Sequence, residues 1–308
     1  MSYAAHSKKV SLEQGSNKMQ SPFASGNERE TPIARRRLVG EGQQPDKMQG
    51  HWVLARTGKR VLRPGGIELT KRMLDALAIG TQDRVVEFAP GLGLTARMVL
   101  AKHPLAYCGV EREPAAAEHL RRELAETNAQ FVLGHAEESG LPRASANIVY
   151  GEAMLSMQSH EQKSRIFAEA VRLLTAGGRY GIHELCLTPD NISGSLRHEI
   201  QAAISKEIHV GVQPLTIAEW VNLFEQYNLS VTWRSTAPMH LLEVRRVLQD
   251  EGFKGSWRIA FRVGMNPVLR RRLFAMRRLF LKYGEHLEAV SLIGQWRQAP
   301  EGGDATPR

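Results

Sequence analysis

A glycine-rich turn followed by an isolated acid is the clearest chemical signal in the sequence. Residues 85–98 read VVEFAPGLGLTARM, in which Gly91 begins a Gly-x-Gly-x-x-Ala pattern after a short apolar run. Glycines at this spacing let the backbone turn tightly and approach a ligand closely. Glu111 follows twenty residues after Gly91, where an acid can bind ribose hydroxyls. The spacing predicts a site for an adenine-containing cofactor, either a dinucleotide or a ligand without phosphates.

The charge of Glu87 separates these two kinds of cofactor. This residue stands at the carboxyl end of the first predicted strand, just before the glycine turn. A carboxylate there would repel the pyrophosphate of a dinucleotide, because like charges at short range destabilise each other. It would attract a cationic ligand such as S-adenosylmethionine, which carries a sulfonium and an ammonium group and no phosphate. Glu87 therefore favours S-adenosylmethionine as the cofactor.

The elements that must position these residues alternate between strands and helices. Apolar periodicity predicts strands over 84–88, 107–110, 130–133, 146–150 and 179–185, with helices over 66–79, 95–103, 114–127 and 161–174. This order predicts a Rossmann-like α/β fold, with a mostly parallel sheet and helices on both faces. Ligands of such sheets bind beyond the carboxyl ends of the strands, so we expect the site in the loops that follow them.

Composition limits the class of protein. Two cysteines, Cys108 and Cys186, make neither a disulfide framework nor a cysteine-rich zinc site, and no metal site is predicted. No apolar run approaches the ~18 residues of a membrane span, and the N-terminus lacks the apolar core of a signal peptide, so we expect a cytoplasmic protein. Residues 1–50 and 299–308 are polar and are predicted to be disordered tails. The net charge of +9 favours an anionic partner.

Five motifs in order resemble those of class I S-adenosylmethionine-dependent methyltransferases. They are VVEFAPGLG, YCGVERE, FVLGHAEESGLP, ANIVYGEAML and LLTAGGRYGIHEL, and they extend over about residues 60–190. The nearest similarity is to the small-molecule branch, typified by the ubiquinone- and menaquinone-biosynthesis methyltransferases. The resemblance implies a methyltransferase domain over residues 51–298, built on a seven-stranded sheet with an antiparallel edge strand. It also implies in-line transfer of a methyl group to a small-molecule acceptor.

The first motif of that family wraps the methionine part of the cofactor. Here the corresponding residues are Glu87, Ala89, Gly91 and Gly93. The two glycines allow the backbone to turn sharply beside the ligand. Ala89 stands where the family usually has a glycine. A small residue can fit there, but the turn can differ slightly in shape from that of the family.

The next two motifs hold the nucleoside part in this family. Glu111 corresponds to the acid that accepts hydrogen bonds from both ribose hydroxyls, and Arg112 follows it at a position that flanks the adenine. His135 and Ala136 stand where Asp-Ala commonly lies beside the adenine amino group. A neutral histidine can still accept a hydrogen bond at one ring nitrogen, whereas Ala136 offers only its backbone.

Two titratable residues at later strand ends are the candidate catalytic groups. Glu152 ends the fourth strand, beneath the expected methyl group, and His183 lies at the end of the fifth. Glu152 fits three roles: a base, a group that orients the acceptor, and a contact to the cofactor amine. A base is needed only if the acceptor keeps its proton until late in the reaction, so the sequence assigns none.

A long segment separates the last two predicted strands, 229–235 and 287–296. We interpret residues 237–285 as a helical insertion that covers the site, with 57–66 as a second lid candidate. The stretch 266–283, NPVLRRRLFAMRRLFLKY, has six basic residues and no acid, and its Leu269, Leu273, Met276 and Phe280 form one helical stripe. A lid with solvated arginines and a peripheral membrane helix both fit this pattern.

Three other functions remain alternatives. A nicotinamide-linked oxidoreductase uses the same glycine pattern. A nucleic-acid methyltransferase would suit the charge, but the sequence at the end of the fourth strand is Tyr-Gly-Glu-Ala rather than the Asn/Asp-Pro-Pro-aromatic motif of amino-group methylases. A non-catalytic protein with a methyltransferase-like fold needs no catalytic residue. The motifs favour a small-molecule acceptor, anionic or lipid-like, over nucleic acid, and they predict no oligomeric state.

Overall fold

The computed structural model describes residues 63–239 and 265–297, together with Phe23. Most of the predicted tails at 1–50 and 299–308, and residues 240–264 of the predicted insertion, lie outside the described residues. Phe23 belongs to the first predicted tail, yet it is buried in the main apolar core. In the described part of the chain, no helix is long and apolar enough to cross a membrane.

Strands and helices alternate through most of the described chain, as the apolar periodicity predicts. The strands are β1 (Arg84–Phe88), β2 (Ala106–Glu111), β3 (Ala129–Leu133), β4 (Ala146–Glu152), β5 (Leu174–Leu187), β6 (Leu215–Thr216), β7 (Leu229–Pro238) and β8 (Leu287–Trp296). The helices are α1 (Gly66–Ala76), α2 (Leu94–Leu100), α3 (Pro114–Glu123), α4 (His160–Leu173), α5 (Gly194–Ile208), α6 (Ile217–Gln226) and α7 (Pro267–Lys282).

The strands form one sheet in the order β3-β2-β1-β4-β5-β8-β7, and the short β6 pairs with β5 beside this path. β1 to β5 pair in parallel, whereas β8 runs antiparallel to both of its neighbours, β5 and β7. The predicted fold class is confirmed. The antiparallel strand β8 is the last strand in the described part of the chain, but it lies between β5 and β7. The outermost strand on this side of the sheet is therefore β7.

Apolar residues cover both faces of the sheet, because adjacent strand residues point to opposite sides. Val85 and the apolar strand residues on the same face of the sheet pack under α1 and α2. Val86 and the apolar strand residues on the opposite face pack under α4 and α6. α4 begins with a capping box, in which Ser159 and Gln162 exchange hydrogen bonds between side chain and backbone. The strand ends are therefore held rigidly between two helical layers.

Helix α5 was absent from the sequence prediction, although its apolar spacing is helical. Ser193 caps its first turn, and Ile200 and Ile204 are buried against α7. Met276 and Phe280 of α7 face the same contact, and Leu273 packs beside them, so these three residues of the predicted stripe point inward; the side chain of Leu269 lies outside the described part of the chain. The pair α5–α7 forms a second apolar layer beyond the end of β5.

Candidate active site

The glycine turn after β1 has the backbone conformation that its sequence requires. Gly91 and Gly93 have φ of 58° and 74°, in the left-handed region that favours glycine. A Cβ on Gly93 would lie 2.6 Å from Leu120 Cδ2, so this glycine lets α2 and α3 pack together. A Cβ on Gly91 would meet only the carbonyl oxygen of Ala89, at 3.9 Å. Gly91 therefore keeps the space above the turn open.

Ala89 adopts the same left-handed region, with φ of 52°. A side chain in this region is disfavoured by roughly 1–2 kcal/mol, and glycine removes that strain at some entropic cost. We expect Ala89→Gly to raise the free energy of unfolding by about 0.5–1 kcal/mol, measured by urea denaturation. Ala168→Gly, at an exposed position inside α4, is the matched control and should lower it by about 1 kcal/mol. Equal changes in the two variants would contradict the assigned strain.

A cavity of about 390 Å³ opens above this turn, at the carboxyl ends of β1, β2 and β4. Every predicted cofactor residue except Gly93 lines it, and so does Glu152. Its charged lining is mainly acidic: Glu87, Glu111, Glu113, Glu137 and Glu152, against Arg63 and Arg112. His183 is not among the lining residues. The structure thus brings the sequence-predicted acids together around one open cavity.

Glu87 lies at the inner wall of the cavity and is 3% exposed. Its Oε2 accepts hydrogen bonds from the hydroxyls of Tyr107 and Tyr150, the latter at 2.5 Å. Burial raises the pKa of Glu87 to about 7, although the two tyrosine hydroxyls oppose the shift. Near neutral pH this carboxyl group is therefore poised between its two charge states, and a cationic ligand would favour the ionised one.

Glu111 ends β2, and the backbone fixes both oxygens of its carboxylate. Oε2 accepts from the N–H of Gly91 at 3.0 Å, and Oε1 accepts from the N–H of Glu113 at 2.9 Å. Burial raises the pKa of Glu111, while these backbone donors oppose the rise. Each carboxylate oxygen can accept a second hydrogen bond. The arrangement leaves acceptor capacity for two neighbouring hydroxyl groups of a ligand.

The outer rim of the cavity is more loosely built. Arg112 is exposed, and the His135 side chain is 65% exposed, with its Nδ1 3.9 Å from Glu137. Ala136 is half-buried and packs against the main core. These three residues line the cavity, but His135 meets the solvent more than the interior of the cavity.

Glu152 is the centre of a buried hydrogen-bonded cluster. Its Oε1 accepts from Thr70 Oγ1 at 2.6 Å and lies 2.8 Å from His183 Nδ1. Its Oε2 accepts from Thr95 Oγ1 at 2.6 Å and from the guanidinium of Arg63. Burial alone would raise the pKa of Glu152, but the charge of Arg63 and the contacts with His183 and Thr70 lower it to about 2. Four polar groups of the protein therefore contact the two oxygens of this carboxylate.

His183 sits behind Glu152 and is fully buried. Its Nε2 lies 2.6 Å from the carbonyl oxygen of Pro64, which can only accept, so this nitrogen carries a proton. Its Nδ1 faces Glu152. Both ring nitrogens are thus engaged by the protein, and the ring joins Glu152 to the chain that precedes α1.

Sequence reasoning missed Arg63, Thr70 and Thr95. Arg63 belongs to the segment 57–66, for which the sequence predicted only a lid. The two threonines lie on helices that were predicted from their apolar residues, so their polar side chains were not singled out. The signal was a threonine near the start of α1 and of α2, because each of these helices follows a glycine turn. None of these residues belongs to one of the five motifs, so the motifs alone pointed only to Glu152.

The inner face of α7 is connected to the cavity only indirectly. Met157 lines the cavity and also packs against the α5–α7 layer. Within the described chain, no residue of α7 lines the cavity. Arg272 departs from the expectation that the arginines of this helix face water, because it is 6% exposed and donates to the carbonyl oxygen of Glu207.

Comparisons with known proteins agree with this geometry. Residues 85–178 match the family model described as "Methyltransferase domain". The chain is 29% identical over 256 residues, 80% of its length, to a protein of Haemophilus influenzae described as uncharacterized, and it covers 97% of that protein.

Two solved structures share the fold. Haemonchus contortus phosphoethanolamine N-methyltransferase 2, in complex with S-adenosyl-L-methionine, matches with a TM-score of 0.63 and 14% identity, over 86% of this chain and 60% of that one. A geranyl diphosphate methyltransferase, in complex with GPP and sinefungin, matches with a TM-score of 0.54 and 16% identity, over 73% of this chain and 75% of that one. The chain spans less than two thirds of the length of the Haemonchus structure.

The chain resembles S-adenosylmethionine-dependent methyltransferases in sequence and in fold. The comparisons support S-adenosylmethionine as the cofactor, in agreement with the prediction from Glu87 and the motifs. The finer similarity to ubiquinone- and menaquinone-type enzymes stays a prediction, and so do the roles of the individual site residues.

Proposed function

We propose that this protein is a methyltransferase that moves a methyl group from S-adenosylmethionine to a small-molecule acceptor. The observation that carries the proposal is the acidic cavity above the glycine turn, where Glu87, Glu111 and Glu152 are all largely buried. The carboxylates of Glu87 and Glu111 oppose the binding of a pyrophosphate, whereas the carboxylate of Glu152 is already paired with Arg63. Glu87 and Glu111 suit a ligand with an ammonium, a sulfonium and a ribose.

The proposed binding mode follows the shape of the site. Glu87 lies at the inner wall, where a carboxylate that is shared by two tyrosine hydroxyls would receive the cationic methionine part. Glu111, held by backbone N–H groups, would accept hydrogen bonds from the ribose hydroxyls. Arg112, His135 and Ala136 would border the adenine at the open rim.

The acceptor is proposed to be small because the cavity is small. A volume of about 390 Å³ is at the low end of the range of small-molecule sites, and the cofactor takes part of it. Met154, Met157 and Gln158 follow β4, next to the place where the resemblance puts the methyl group, and they line the cavity. These side chains would contact the acceptor. The two solved structures are a phosphoethanolamine methyltransferase and a geranyl diphosphate methyltransferase, and both are named for small molecules.

Glu152 is proposed to position other groups rather than to remove a proton. Its pKa of about 2 makes it a weak base, and both of its oxygens already have polar partners. It would hold Arg63, Thr70 and Thr95 in place beside the cavity, with His183 as its buried support. When bound, S-adenosylmethionine supplies an activated methyl group, and its sulfur keeps the electron pair of the broken C–S bond. The work of the protein is then alignment and the exclusion of water.

Calorimetric titration tests the proposal most directly. We expect S-adenosylmethionine and S-adenosylhomocysteine to bind and NADH not to bind. A labelled methyl donor with a mixture of small metabolites should then give a labelled small product. Binding of NADH alone would establish the oxidoreductase alternative, and label in added nucleic acid alone would establish the nucleic-acid alternative. Cofactor binding with no labelled product from either source would favour the non-catalytic alternative.

Glu87 gives the cofactor affinity a predicted pH dependence. The pKa of about 7 means that the ionised fraction in the free protein rises as the pH rises from 6 to 8. A cationic ligand prefers the ionised form, so the affinity should increase over this range by roughly tenfold. In Glu87→Gln the part of this dependence that comes from Glu87 should vanish. Both proteins should be titrated at each pH and their affinities compared as a ratio. The ionisation of the ligand itself cancels in this ratio, because it affects both proteins equally.

The same pKa predicts an opposite effect on the unliganded fold. The folded pKa lies above the ordinary value of 4.5, so the folded state holds its proton more tightly than the unfolded state. The contribution of Glu87 to stability therefore falls as the pH rises between about 4.5 and 7. Glu87→Gln should lack this fall in urea denaturation. If the two proteins had identical pH profiles in both binding and stability, Glu87 would have neither the raised pKa nor the role in cofactor binding that is assigned to it.

A further inference from the structure

The outward side of α7 carries cations and large apolar side chains together. Its exposed residues recur at helical spacing and form one stripe, here called the outer face: Arg270, Arg271, Phe274, Arg278, Leu281 and Lys282. Phe274 and Leu281 are 58% and 59% exposed, and they lie two turns apart along the middle of this stripe. Together they place an apolar strip among the cations of the outer face.

These two side chains are not part of the core that holds the helix. The opposite side of α7 supplies Met276 and Phe280, which are 1% and 9% exposed and pack against α5. The apolar residues of α7 therefore serve two separate surfaces. Folding accounts for the inner one and leaves Phe274 and Leu281 facing the solvent.

The outer face has an excess of positive charge. The helix contains no acidic residue. Lys282 pairs with Glu199 at 3.0 Å, so its charge is largely balanced. Among the described residues, no carboxylate forms an ion pair with Arg270, Arg271 or Arg278. Glu285 follows the helix and is exposed, beyond its last turn. Three unbalanced arginines thus surround Phe274 and Leu281.

We propose that the outer face of α7 docks on an anionic lipid bilayer. Arginines near an anionic membrane surface are attracted to its headgroups, while Phe and Leu between them enter the boundary of the acyl chains. Lipid is favoured over nucleic acid because a phosphate backbone would satisfy the arginines but leave both apolar side chains without a partner. The inference concerns a surface that does not line the cavity, and it does not depend on the proposed methyl transfer.

Sedimentation with vesicles tests this surface in the full-length protein. We expect binding to vesicles of equal parts phosphatidylglycerol and phosphatidylcholine, and none to phosphatidylcholine alone. The attraction should weaken at about 0.5 M salt, where the screening length is roughly 4 Å. Each arginine near such a surface contributes about fivefold in affinity, so Arg270→Gln, Arg271→Gln and Arg278→Gln together should reduce binding on the order of 100-fold. Phe274→Ser with Leu281→Ser should reduce it by about tenfold or more.

Two controls keep the outcome decisive. Replacing Arg35, Arg36 and Arg37 by Gln removes the same charge from a basic run elsewhere in the sequence, and it should reduce binding much less than the α7 variant. Circular dichroism should show that all variants keep their helical content, since every α7 substitution is at an exposed position. An equal or larger loss in the Arg35–Arg37 variant would overturn the proposal. So would wild-type protein that ignores anionic vesicles at low salt, or that binds duplex DNA through these arginines and not vesicles.

Discussion

Glu152→Ala is expected to lower the free energy of unfolding by about 3–5 kcal/mol, because it leaves a buried positive charge without its counter-ion. Arg63 is 9% exposed and His183 is fully buried, and both contact the Glu152 carboxylate. Thr70 and Thr95 would also lose the acceptor of their hydroxyl hydrogen atoms. Urea denaturation measures the change.

Glu123→Ala is the matched control for this experiment. It removes a carboxylate of the same length from an ion pair with Arg97, but both side chains of that pair are more than 40% exposed. Such pairs contribute about 0–1 kcal/mol. A similar small change in both variants would show that the Glu152 cluster is not a buried, mutually dependent unit.

Glu152→Gln separates the positioning role from the role of a base. The amide keeps the shape of the side chain but replaces one acceptor oxygen by a donor, so it cannot satisfy all four partners. A positioning role predicts weaker cofactor or acceptor binding, with no change in the pH dependence of turnover. Loss of a pH-dependent step, with binding and stability intact, would instead make Glu152 the base.

The second large effect is expected at Glu111, the proposed acceptor of hydrogen bonds from the ribose hydroxyls. Glu111→Ala should weaken S-adenosylmethionine binding by about 2–4 kcal/mol, or roughly 30- to 1,000-fold, because a carboxylate would no longer accept from the two ribose hydroxyls. The carboxylate is well placed for this, since the N–H groups of Gly91 and Glu113 fix both of its oxygens. Calorimetry with the purified variant measures the loss.

Glu113→Ala serves as the control for Glu111→Ala. It removes an exposed acid from the rim of the same cavity, and it keeps the backbone N–H that contacts Glu111. Its effect on cofactor affinity should be small. Equal losses in the two variants would mean that the overall negative charge of the rim, rather than a specific pair of hydrogen bonds, holds the ligand.

The sequence alone located the glycine turn and acids that line the cavity. The turn at Gly91 and Gly93 and the acid at Glu111 belong to short stretches that run directly from a strand into a loop. In such stretches, residues that are close together in space are also close together along the chain. The strands that carry them are buried on both faces and read as apolar runs, so their positions, and the edge at which their ends meet, followed from periodicity.

Helices were predicted less completely, for an identifiable reason. Helix α5 had the apolar spacing of Ile200 and Ile204 but no motif nearby, and it was missed. The inward stripe of α7 was predicted from its period. The burial of Arg272 was not, because the carbonyl oxygen of Glu207 that receives it belongs to another helix. Periodicity shows which face is apolar, but not which polar groups the neighbouring element offers.

The sequence by itself determined the parallel sheet, the glycine turn and the acids at the strand ends, because these depend on residues that are close together along the chain. Only the tertiary structure decided what those acids do. The partners of Glu152 lie between 31 and 89 positions away from it, on a loop, two helices and another strand. Burial raises the pKa of Glu87 to about 7, while Arg63 and His183 lower that of Glu152 to about 2. The charge of a carboxyl group depends on its desolvation and on the charges packed around it, and the fold alone sets both.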